Sequence, residues 1–282
     1  MYLFILIIII TIIIGLKIYN SLSCGMCTCD ARMDGKVVIV TGANTGIGYE
    51  TARELAQRGA RVILACRSAQ KGTAAVDSIR TATGNTDVVL KQLDLCSLQS
   101  VRNFAKDILK NEPKLDVLIN NAGTGPVDNA LTEDNLPIEV QANYFGPFLL
   151  TVLLLPLLKK SAPSRIINVS SLLHIFGKIN LNRFHKQTSN YFHFLRLYSD
   201  TKLANILFTN KLSEELKGTG VTANSLHPGA VKTDLFRHSN IFYQFFVSLV
   251  FRPAWQGAQT LIYLAVSPEL KETTGKYFVD CR

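Results

Sequence analysis

The sequence predicts one α/β domain built on a parallel, doubly wound sheet. From residue 35 onward, short apolar runs typical of buried strands alternate with longer stretches of helical periodicity. Apolar residues make up 48% of the chain and charged residues 18%, a composition that suits a large core. We find no internal repeat and no linker after residue 35, so about 250 residues form a single domain. Repeated strand–helix–strand units favour parallel strands joined by right-handed crossovers.

The strands are predicted from short apolar runs. Residues 37–40, Val-Val-Ile-Val, are apolar throughout, as expected for a strand that is buried on both faces. A helical pattern from about residue 47 to residue 58 follows this strand and stops at Gly59. The further strand candidates are 61–65, 88–92, 117–120, 166–169, 221–226 and 277–279.

The N-terminal segment is apolar enough to be a membrane anchor. Residues 2–16 carry no charge and contain eight isoleucines. Continued to residue 22, with Lys17 reaching the interface, a helix would span about 32 Å against a hydrocarbon core of about 30 Å. The apolar side chains favour insertion by about 6 kcal/mol, and the lysine opposes it by at most about 3 kcal/mol. Insertion is therefore expected.

Basic residues follow this segment and do not precede it, which predicts a cytoplasmic location for the rest of the chain. We expect a transmembrane anchor helix at 1–22, a Cys-containing linker at 23–34 and a catalytic domain at 35–282. A cleaved signal peptide is the alternative, because Ser-Leu-Ser at 21–23 could serve as a cleavage site.

The linker contains Cys24, Cys27 and Cys29. The six cysteines of the chain show no disulfide framework, which indicates a reducing compartment. No second ligand cluster completes a metal site, so no metal is expected, while palmitoylation of the linker stays open. The net charge of +9 is scattered along the chain, which favours a cofactor phosphate and a membrane lipid surface over nucleic acid as partners.

A glycine-rich loop follows the first strand. Residues 41–48 read Thr-Gly-Ala-Asn-Thr-Gly-Ile-Gly, so the glycines stand between a strand and a helix. Such glycines let the backbone turn sharply and approach a pyrophosphate at the helix N-terminus. A glycine-rich turn without a ligand is the other interpretation.

The second strand ends at Ala-Cys-Arg, residues 65–67, with no acidic residue. An NAD-binding domain usually places Asp or Glu there for the ribose 2′-hydroxyl. Arg67 could instead bind a 2′-phosphate, which predicts NADP(H), although an ordinary solvated arginine is the alternative. Asp94, after the third strand, is a candidate for contact with the adenine.

The stretch Asn-Asn-Ala-Gly at 120–123 follows the fourth strand, at the carboxyl edge where ligands bind. The asparagines could hold the backbone, and the small residues would leave room beside an adenosine ribose. An ordinary turn is the alternative for these four residues.

The chemistry is expected from Tyr198 and Lys202, which share one helix face because they are four residues apart. The ammonium group could lower the pKa of the phenol and hold the nicotinamide ribose, and the phenol could then exchange a proton with a carbonyl oxygen. A hydroxyl of Ser170 or Ser171, after the fifth strand, could bind the reacting oxygen. Asn143 lies inside a predicted helix, where asparagine is unfavourable unless its side-chain amide makes a useful hydrogen bond. One such role would be to hold a water that relays protons to Lys202.

Together these residues resemble the classical short-chain dehydrogenase/reductases. The matching motifs are Thr-Gly-x-x-x-Gly-Ile-Gly, Asn-Asn-Ala-Gly, Asn-Val-Ser-Ser, Tyr-x-x-x-Lys and His-Pro-Gly at 227–229, in the family's order over residues 35–280. The resemblance implies a Rossmann-type fold and a catalytic tetrad of Asn143, Ser171, Tyr198 and Lys202. It also implies a cofactor-binding set made of Gly42, Asn44, Thr45, Gly46, Ile47, Gly48, Arg67, Asp94, Leu95, Asn121, Ala122, Gly123, Tyr198, Lys202, Pro228, Gly229, Val231 and Thr233.

The chain is also similar to the NADP(H)-dependent retinol dehydrogenase branch of that family, through residues 54–61, 65–67, 161–165, 199–210 and 257–260. This similarity implies a reductase acting on retinal and other lipophilic carbonyls at the endoplasmic reticulum. Residues 125–128 and 141–146 depart from the branch pattern. The chain stops at Cys281-Arg282, where relatives continue for another helical segment, so an incomplete gene product is one interpretation.

Two rival functions remain: a catalytically silent, nucleotide-bound membrane scaffold or sensor, and an epimerase or dehydratase on the same fold. The apolar, aromatic run at 236–251 argues against the second, because a sugar pocket would be polar. This run predicts a lipophilic substrate or contact with the bilayer, with ordinary core packing as the alternative. The sequence leaves the exact substrate, the reaction direction and a homo-oligomer open.

Overall fold

The computed structural model describes residues 22–125, 130–184, 191–232 and 247–282, and eight positions among the first 20 residues. Backbone alone is described at 191–194. Most of the predicted anchor therefore lies outside the described residues, as do Thr233 and most of the apolar run at 236–251. Val247 and Val250, in the described part of that run, are buried in the fold.

Seven parallel strands form one sheet with the order β3-β2-β1-β4-β5-β6-β7. The strands are β1 Val37–Thr41, β2 Arg61–Cys66, β3 Val88–Gln92, β4 Val117–Asn120, β5 Ser164–Val169, β6 Val221–His227 and β7 Tyr277–Val279. Strands β2 and β3 lie on one side of β1, whereas β4 to β7 lie on the other side, so the connections change direction between β1 and β4. Open α/β sheets bind ligands at such a switch point. The predicted Rossmann-type parallel sheet is confirmed.

Helices cover both faces of the sheet. They are α1 Gly46–Gln57, α2 Ala69–Thr83, α3 Leu98–Asn111, α4 Ile138–Lys160, α5 Leu181–Phe184, α6 Tyr191–Glu215, α7 Ala254–Gly257 and α8 Gln259–Val266. Short 3₁₀ turns occur at Leu172–Phe176 and Pro268–Leu270.

Alternate residues of β1 enter two separate cores. Val38 and Val40 pack with apolar residues of α1, α2 and α8, whereas Val37 and Ile39 pack with those of α3, α4 and α6. Successive side chains of a strand point to opposite faces, so a strand covered on both sides must be apolar throughout. This is the physical basis of the uninterrupted apolar run at 37–40.

Among the described residues, α4 is the one helix long and apolar enough to cross a membrane. Its most apolar part is 56% buried inside the fold, where Leu150 and Leu154 are fully covered. We therefore describe α4 as a core helix. It is separate from the anchor predicted at 1–22.

The linker at 23–34 is packed against the domain through Arg252. The guanidinium of Arg252 is 5% exposed and donates hydrogen bonds to the Asn20 carbonyl (2.6 Å), the Ser23 hydroxyl (2.7 Å) and the Asp280 carboxylate (2.6 Å). Its backbone pairs with the chain beside Val231. Arg252 thus joins the end of the N-terminal segment, the loop after β6 and the turn after β7.

We expect Arg252→Ala to destabilise the protein. Removal of one partner from a buried ion pair costs about 3–5 kcal/mol, because the other charge stays buried without compensation. For a chain of this size we expect the Tm to fall by about 6 to 20 °C in a thermal unfolding experiment in detergent. Arg53→Ala is the control: Arg53 pairs with Glu50 on the surface of α1, and loss of such a pair costs less than about 1 kcal/mol. Equal Tm losses in the two variants would contradict this account.

Candidate active site

The sequence motifs meet at the carboxyl edge of the sheet. Strands β1, β4, β5 and β6 are consecutive neighbours, and each is followed by one of the motifs. In a parallel sheet all the carboxyl ends lie on one edge. The glycine loop, the Asn-Asn-Ala-Gly loop, the serine pair and the His-Pro-Gly turn therefore form one continuous site.

The glycine loop after β1 fits closely against the loop after β4. Gly42 has φ +65°, and a Cβ there would lie 2.9 Å from the Cα of Ala122. A Cβ on Gly48 would lie 2.4 Å from the Asn121 amide nitrogen. Larger residues would push the two loops apart. Thr45 precedes α1 in extended conformation and its side chain does not cap the helix, so the first turn of α1 can present backbone N–H groups to a phosphate.

Asn121 and Thr41 fasten the two loops together. The Thr41 hydroxyl accepts hydrogen bonds from the backbone N–H groups of Asn121 (3.0 Å) and Ala122 (2.9 Å). The Asn121 amide donates to the Thr41 carbonyl at 2.8 Å. The expectation that an asparagine holds the backbone here agrees with this geometry.

Arg67 is exposed at the carboxyl end of β2. Within the ranges that the structure describes, no acidic group pairs with its guanidinium. Arg67 lies close enough to Cys96 to oppose the rise in the pKa of that thiol, to about 11, that burial causes. Asp94 accepts a hydrogen bond from the Cys96 N–H (2.9 Å), and Leu95 is buried. Arg67 therefore has the exposure that a phosphate-binding residue needs.

Ser171, Tyr198 and Lys202 come together between β5 and α6. The Ser171 hydroxyl and the Tyr198 phenol share a side-chain hydrogen bond that lowers the pKa of the phenol. The Nζ of Lys202 lies 5.5 Å from the centre of the Tyr198 ring and donates to the Val169 carbonyl at 3.1 Å. A phenol, a hydroxyl and an ammonium group thus share one small volume at the sheet edge.

The two serines have different environments. Ser170 is 2% exposed, and its hydroxyl donates to the Lys202 carbonyl at 2.8 Å. This bond ties the residue after β5 to α6 and occupies the Ser170 hydroxyl. Ser171 is the serine that shares a hydrogen bond with Tyr198.

Asn143 lies in a π-helical turn, Gln141–Phe145, within α4. Its side-chain amide is fully engaged with the backbone of Thr124: the Oδ1 accepts from the N–H at 2.7 Å and the Nδ2 donates to the carbonyl at 2.9 Å. The Asn143 carbonyl accepts from the Asn205 amide at 3.1 Å. The task of the Asn143 side chain in this structure is to hold the loop after β4 against α4.

Burial dominates the protonation of the site. It raises the pKa of Tyr198 to about 12, against the hydrogen bond from Ser171, and the Glu139 carboxylate raises that pKa further. Burial lowers the pKa of Lys202 to about 8, and Glu139 opposes this fall. The expected lowering of the phenol pKa is therefore absent from this structure, because desolvation of the phenolate outweighs the nearby donors.

The turn after β6 closes the site. Gly229 has φ +86°, and its N–H donates to the Nδ1 of His227 at 2.9 Å. A Cβ on Gly229 would lie 2.7 Å from the Arg252 guanidinium. Val231 is buried. The side chains of Val231 and Ile47 both pack against Gly257. The turn is therefore held from behind by the same arginine that binds the linker.

Sequence reasoning missed three residues of this region: Glu139, Asn205 and Arg252. Glu139 lies between Ile138 and Val140, and its spacing of four residues from Asn143 was the available signal. Asn205 and Arg252 carry no local signal, because their partners are distant in sequence.

A second missed feature is an exposed apolar surface beside Ser171. The segment from 172 to 181 has five large apolar side chains that are 42% to 68% exposed. They are Leu172, Ile175, Phe176, Ile179 and Leu181. The backbone of this segment crosses α6 next to Ser199, where a Cβ on Gly177 would lie 2.6 Å from the Ser199 carbonyl. Clustered apolar side chains at the rim of a site indicate a binding surface for apolar ligands or lipid.

The family model of the short chain dehydrogenases matches residues 36–243. With the fold and the site described above, this match shows that the chain belongs to the short-chain dehydrogenase family, a class of oxidoreductases.

Curated relatives place the chain in the retinol dehydrogenase branch of the family. Retinol dehydrogenase 11 of Mus musculus is 48% identical over 270 residues, which cover 94% of this chain and 84% of that protein. Retinol dehydrogenase 13 of Homo sapiens is 47% identical over 262 residues, which cover 90% and 79%.

Solved structures share the fold. An uncharacterised protein from Mycobacterium paratuberculosis is 35% identical with a TM-score of 0.70, covering 90% of this chain and 84% of that one. A short-chain dehydrogenase from Burkholderia cenocepacia, solved in complex with NADP, is 26% identical with a TM-score of 0.70, covering 88% and 96%.

Proposed function

We propose that this protein is a membrane-anchored, NADP(H)-dependent oxidoreductase that interconverts a lipophilic aldehyde or ketone and its alcohol, with a retinal/retinol-like compound as the substrate. One observation carries the proposal: the Ser171, Tyr198 and Lys202 side chains meet beside the glycine loop at the carboxyl edge of the sheet. A proton-transferring group and a nucleotide cradle are thereby within one site.

The loops after β1 and β4 leave space for a dinucleotide. Gly42 and Gly48 keep the first loop free of side chains. A Cβ on Gly123 would lie 3.2 Å from the Asn143 Oδ1 and 3.5 Å from the Lys202 Nζ, so this glycine leaves a passage toward the lysine. When bound, the nicotinamide would supply or accept the hydride. The pyrophosphate would be held by the loop after β1, which contains Gly42, Asn44, Thr45, Gly46, Ile47 and Gly48. The other residues expected to contact the cofactor are Asp94, Leu95, Asn121, Ala122, Gly123, Pro228, Gly229, Val231 and Thr233.

In carbonyl reduction, Tyr198 donates its phenolic proton to the substrate oxygen, and in alcohol oxidation it accepts that proton. Ser171 holds the reacting oxygen and the phenol in line. Lys202 holds the nicotinamide ribose, and its ammonium group stabilises the phenolate. Asn143 fixes the loop after β4, where the cofactor binds. A pKa of about 12 for the free phenol keeps Tyr198 protonated at neutral pH, which suits an acid in the reductive direction.

The choice of NADP(H) over NAD(H) depends on Arg67. Its guanidinium is exposed at the end of β2, and no acid stands beside it in sequence. A guanidinium binds a phosphate monoester through two parallel hydrogen bonds. The NADP complex of the Burkholderia cenocepacia relative supports the same cofactor.

The lipophilic substrate is supported by two observations. The curated relatives are named for retinol, an apolar alcohol. In addition, the exposed apolar segment from 172 to 181 begins next to Ser171, so an apolar ligand could lie against it while its carbonyl reaches Tyr198. A silent scaffold would bind the nucleotide without turnover, and the complete set of Asn143, Ser171, Tyr198 and Lys202 favours the enzyme over it.

We further propose the arrangement of anchor 1–22, linker 23–34 and catalytic domain 35–282, with the domain on the cytoplasmic side of the endoplasmic reticulum membrane. The uncharged N-terminal run and the basic residues after it support this arrangement. Phe4 and Ile14, which are described within the run, are more than half exposed, as expected of side chains that face lipid. Membrane lipid would then deliver an apolar substrate to the site.

Tyr198→Phe should lose turnover and keep cofactor binding. The phenol oxygen supplies the proton, and general acid–base catalysis contributes about 10²- to 10⁴-fold, so kcat should fall by about that factor with retinal and NADPH. Tyr144→Phe is the matched control, since Tyr144 packs in a nearby aromatic cluster away from the expected reacting atoms. Near-normal kcat in Tyr198→Phe would overturn the assignment. Binding of NADPH, followed by its fluorescence, should be unchanged in both variants.

Arg67→Ala should narrow the preference for NADPH over NADH. A charge-assisted contact contributes about 1.5–3 kcal/mol, which corresponds to about 10- to 150-fold in the ratio of the two dissociation constants. Lys71→Ala removes an exposed positive charge from the adjoining helix α2 and should leave the ratio unchanged. If the wild-type protein binds NADH more tightly than NADPH, the cofactor proposal fails.

The protein should resist extraction of microsomes by alkaline carbonate, because residues 1–22 would lie in the bilayer. Protease added to sealed microsomes should digest the catalytic domain without detergent. A protected domain would reverse the proposed orientation, and release into the supernatant would exclude the anchor. Deletion of residues 1–22 should preserve turnover of a soluble short aldehyde, since none of the site residues lies there.

A further inference from the structure

Glu139 is a buried carboxyl group that the mechanism above does not use. It lies in the first turn of α4 and is 2% exposed. Neither of its carboxyl oxygens has a hydrogen-bond partner among the residues that the structure describes. A carboxyl group is costly to bury without hydrogen bonds, so it must either be neutral or lie near a positive charge.

The positive charge that faces Glu139 belongs to Lys202. Helix α6 packs against the start of α4, and Lys202 is 4% exposed. Its Nζ lies beside the same position of Gly123 as the Oδ1 of Asn143, which is one helical turn after Glu139. Each of the two groups favours the charged form of the other. Tyr198, one turn before Lys202, is the second titratable group that faces Glu139. Asp200 on the same helix is paired with Arg183 instead, so it does not compete for Lys202.

Within the described ranges, the surroundings of Lys202 supply no other neutralising group. Its Nζ donates to the neutral Val169 carbonyl and lies beside the position of Gly123. In the part of the chain that the structure describes, the one acidic side chain that acts on the ammonium is Glu139. Without it, the ammonium would be a buried charge with only neutral dipoles around it.

We propose that Glu139 is a positioning residue that serves as the buried counter-charge of Lys202 and keeps the lysine protonated beside Tyr198 above neutral pH. The inference deepens the proposed oxidoreductase function and rests on it for its catalytic meaning. The ionic pair itself is a property of the folded chain that can be measured without turnover.

The protonation of the pair follows from burial and mutual attraction. Burial raises the pKa of Glu139 to about 8 and lowers that of Lys202 to about 8, and each charge opposes the shift of the other. In acid both groups hold a proton. As the pH rises, Glu139 loses its proton next to the ammonium group, and the resulting carboxylate delays the loss of the second proton from Lys202. A neutral residue at position 139 would let Lys202 deprotonate at lower pH.

A purely structural role explains Glu139 less well. A glutamate at the start of a helix usually accepts hydrogen bonds from backbone N–H groups, but Glu139 accepts none from the described residues. Its neighbour Val140 packs in a core with Phe184 and Leu197, and an apolar residue at position 139 would avoid the burial of a desolvated charge. The charge of the carboxyl group, rather than its packing, therefore explains why a glutamate occupies this position.

The test is the titration of Lys202 in the full-length protein in detergent. Lysine labelled with ¹³C at Cε reports the protonation of each amine by NMR, and the Lys202 signal is assigned by its loss in Lys202→Ala. In Glu139→Gln the titration midpoint of Lys202 should fall by about 1 to 3 pH units, the usual effect of removing a nearby opposite charge. Glu139→Asp, which keeps the charge on a shorter side chain, should retain at least part of the wild-type midpoint.

Glu112→Gln is the matched control. Glu112 is also buried, at 6% exposure, but it pairs with Arg61 at the other end of the sheet, so its loss should leave the Lys202 midpoint unchanged. An unchanged or raised midpoint in Glu139→Gln overturns the proposal. If Glu139→Gln does not fold, Glu139→Met supplies the same comparison with an apolar side chain of similar length.

A second measurement links the pair to catalysis. The alkaline limb of the kcat/KM profile for carbonyl reduction should move to lower pH in Glu139→Gln and return toward the wild-type position in Glu139→Asp. A shifted Lys202 midpoint in a protein without any turnover would support the ion pair and contradict the oxidoreductase function. An unshifted midpoint in an active enzyme would overturn the ion pair alone.

Discussion

A chain of buried amide and hydroxyl groups connects the centre of the sheet to the site. The Asn120 amide donates to the Thr151 hydroxyl of α4 and to the Asn168 Oδ1 of β5, each at 2.8 Å. Asn168 donates in turn to the Thr209 hydroxyl of α6 at 2.9 Å, and Thr209 donates to the Asn205 carbonyl at 2.7 Å. The Asn205 amide then holds the Asn143 carbonyl. Because buried polar groups are costly unless they are paired, this chain fixes how α4 and α6 lie against β4 and β5.

The positions of the reacting groups follow from this constraint. Tyr198 and Lys202 lie on α6, whereas Glu139 and Asn143 lie on α4, and the two helices could otherwise slide along their apolar contact. Apolar packing has no direction, but a hydrogen bond has a required distance and angle. The chain of buried amide and hydroxyl groups therefore sets the relative position of the two helices. In that position the carboxyl group of Glu139 on α4 lies near the ammonium group of Lys202 on α6.

Desolvation gives the site its electrostatic character. In water the charges of Glu139, Tyr198 and Lys202 would interact weakly, but burial strengthens the electrostatic interactions between them. Burial also shifts each pKa in the direction that favours the neutral form of the group. The same burial raises the free energy of every charged intermediate that lacks a partner. A paired lysine beside a phenol is thus a way to keep one positive charge available in a dry site.

The sequence by itself determined the parallel sheet and the positions of its motifs. Strands such as 88–92, 117–120 and 277–279 were predicted with the observed limits, because an apolar run bounded by turn residues depends on the chain within a few residues. The tertiary structure alone decided what occupies the Asn143 amide, and that Glu139 is buried against Lys202. Those outcomes depend on groups that are 19 to 63 residues away in the chain and are brought together by strand order and helix packing, which local periodicity does not encode.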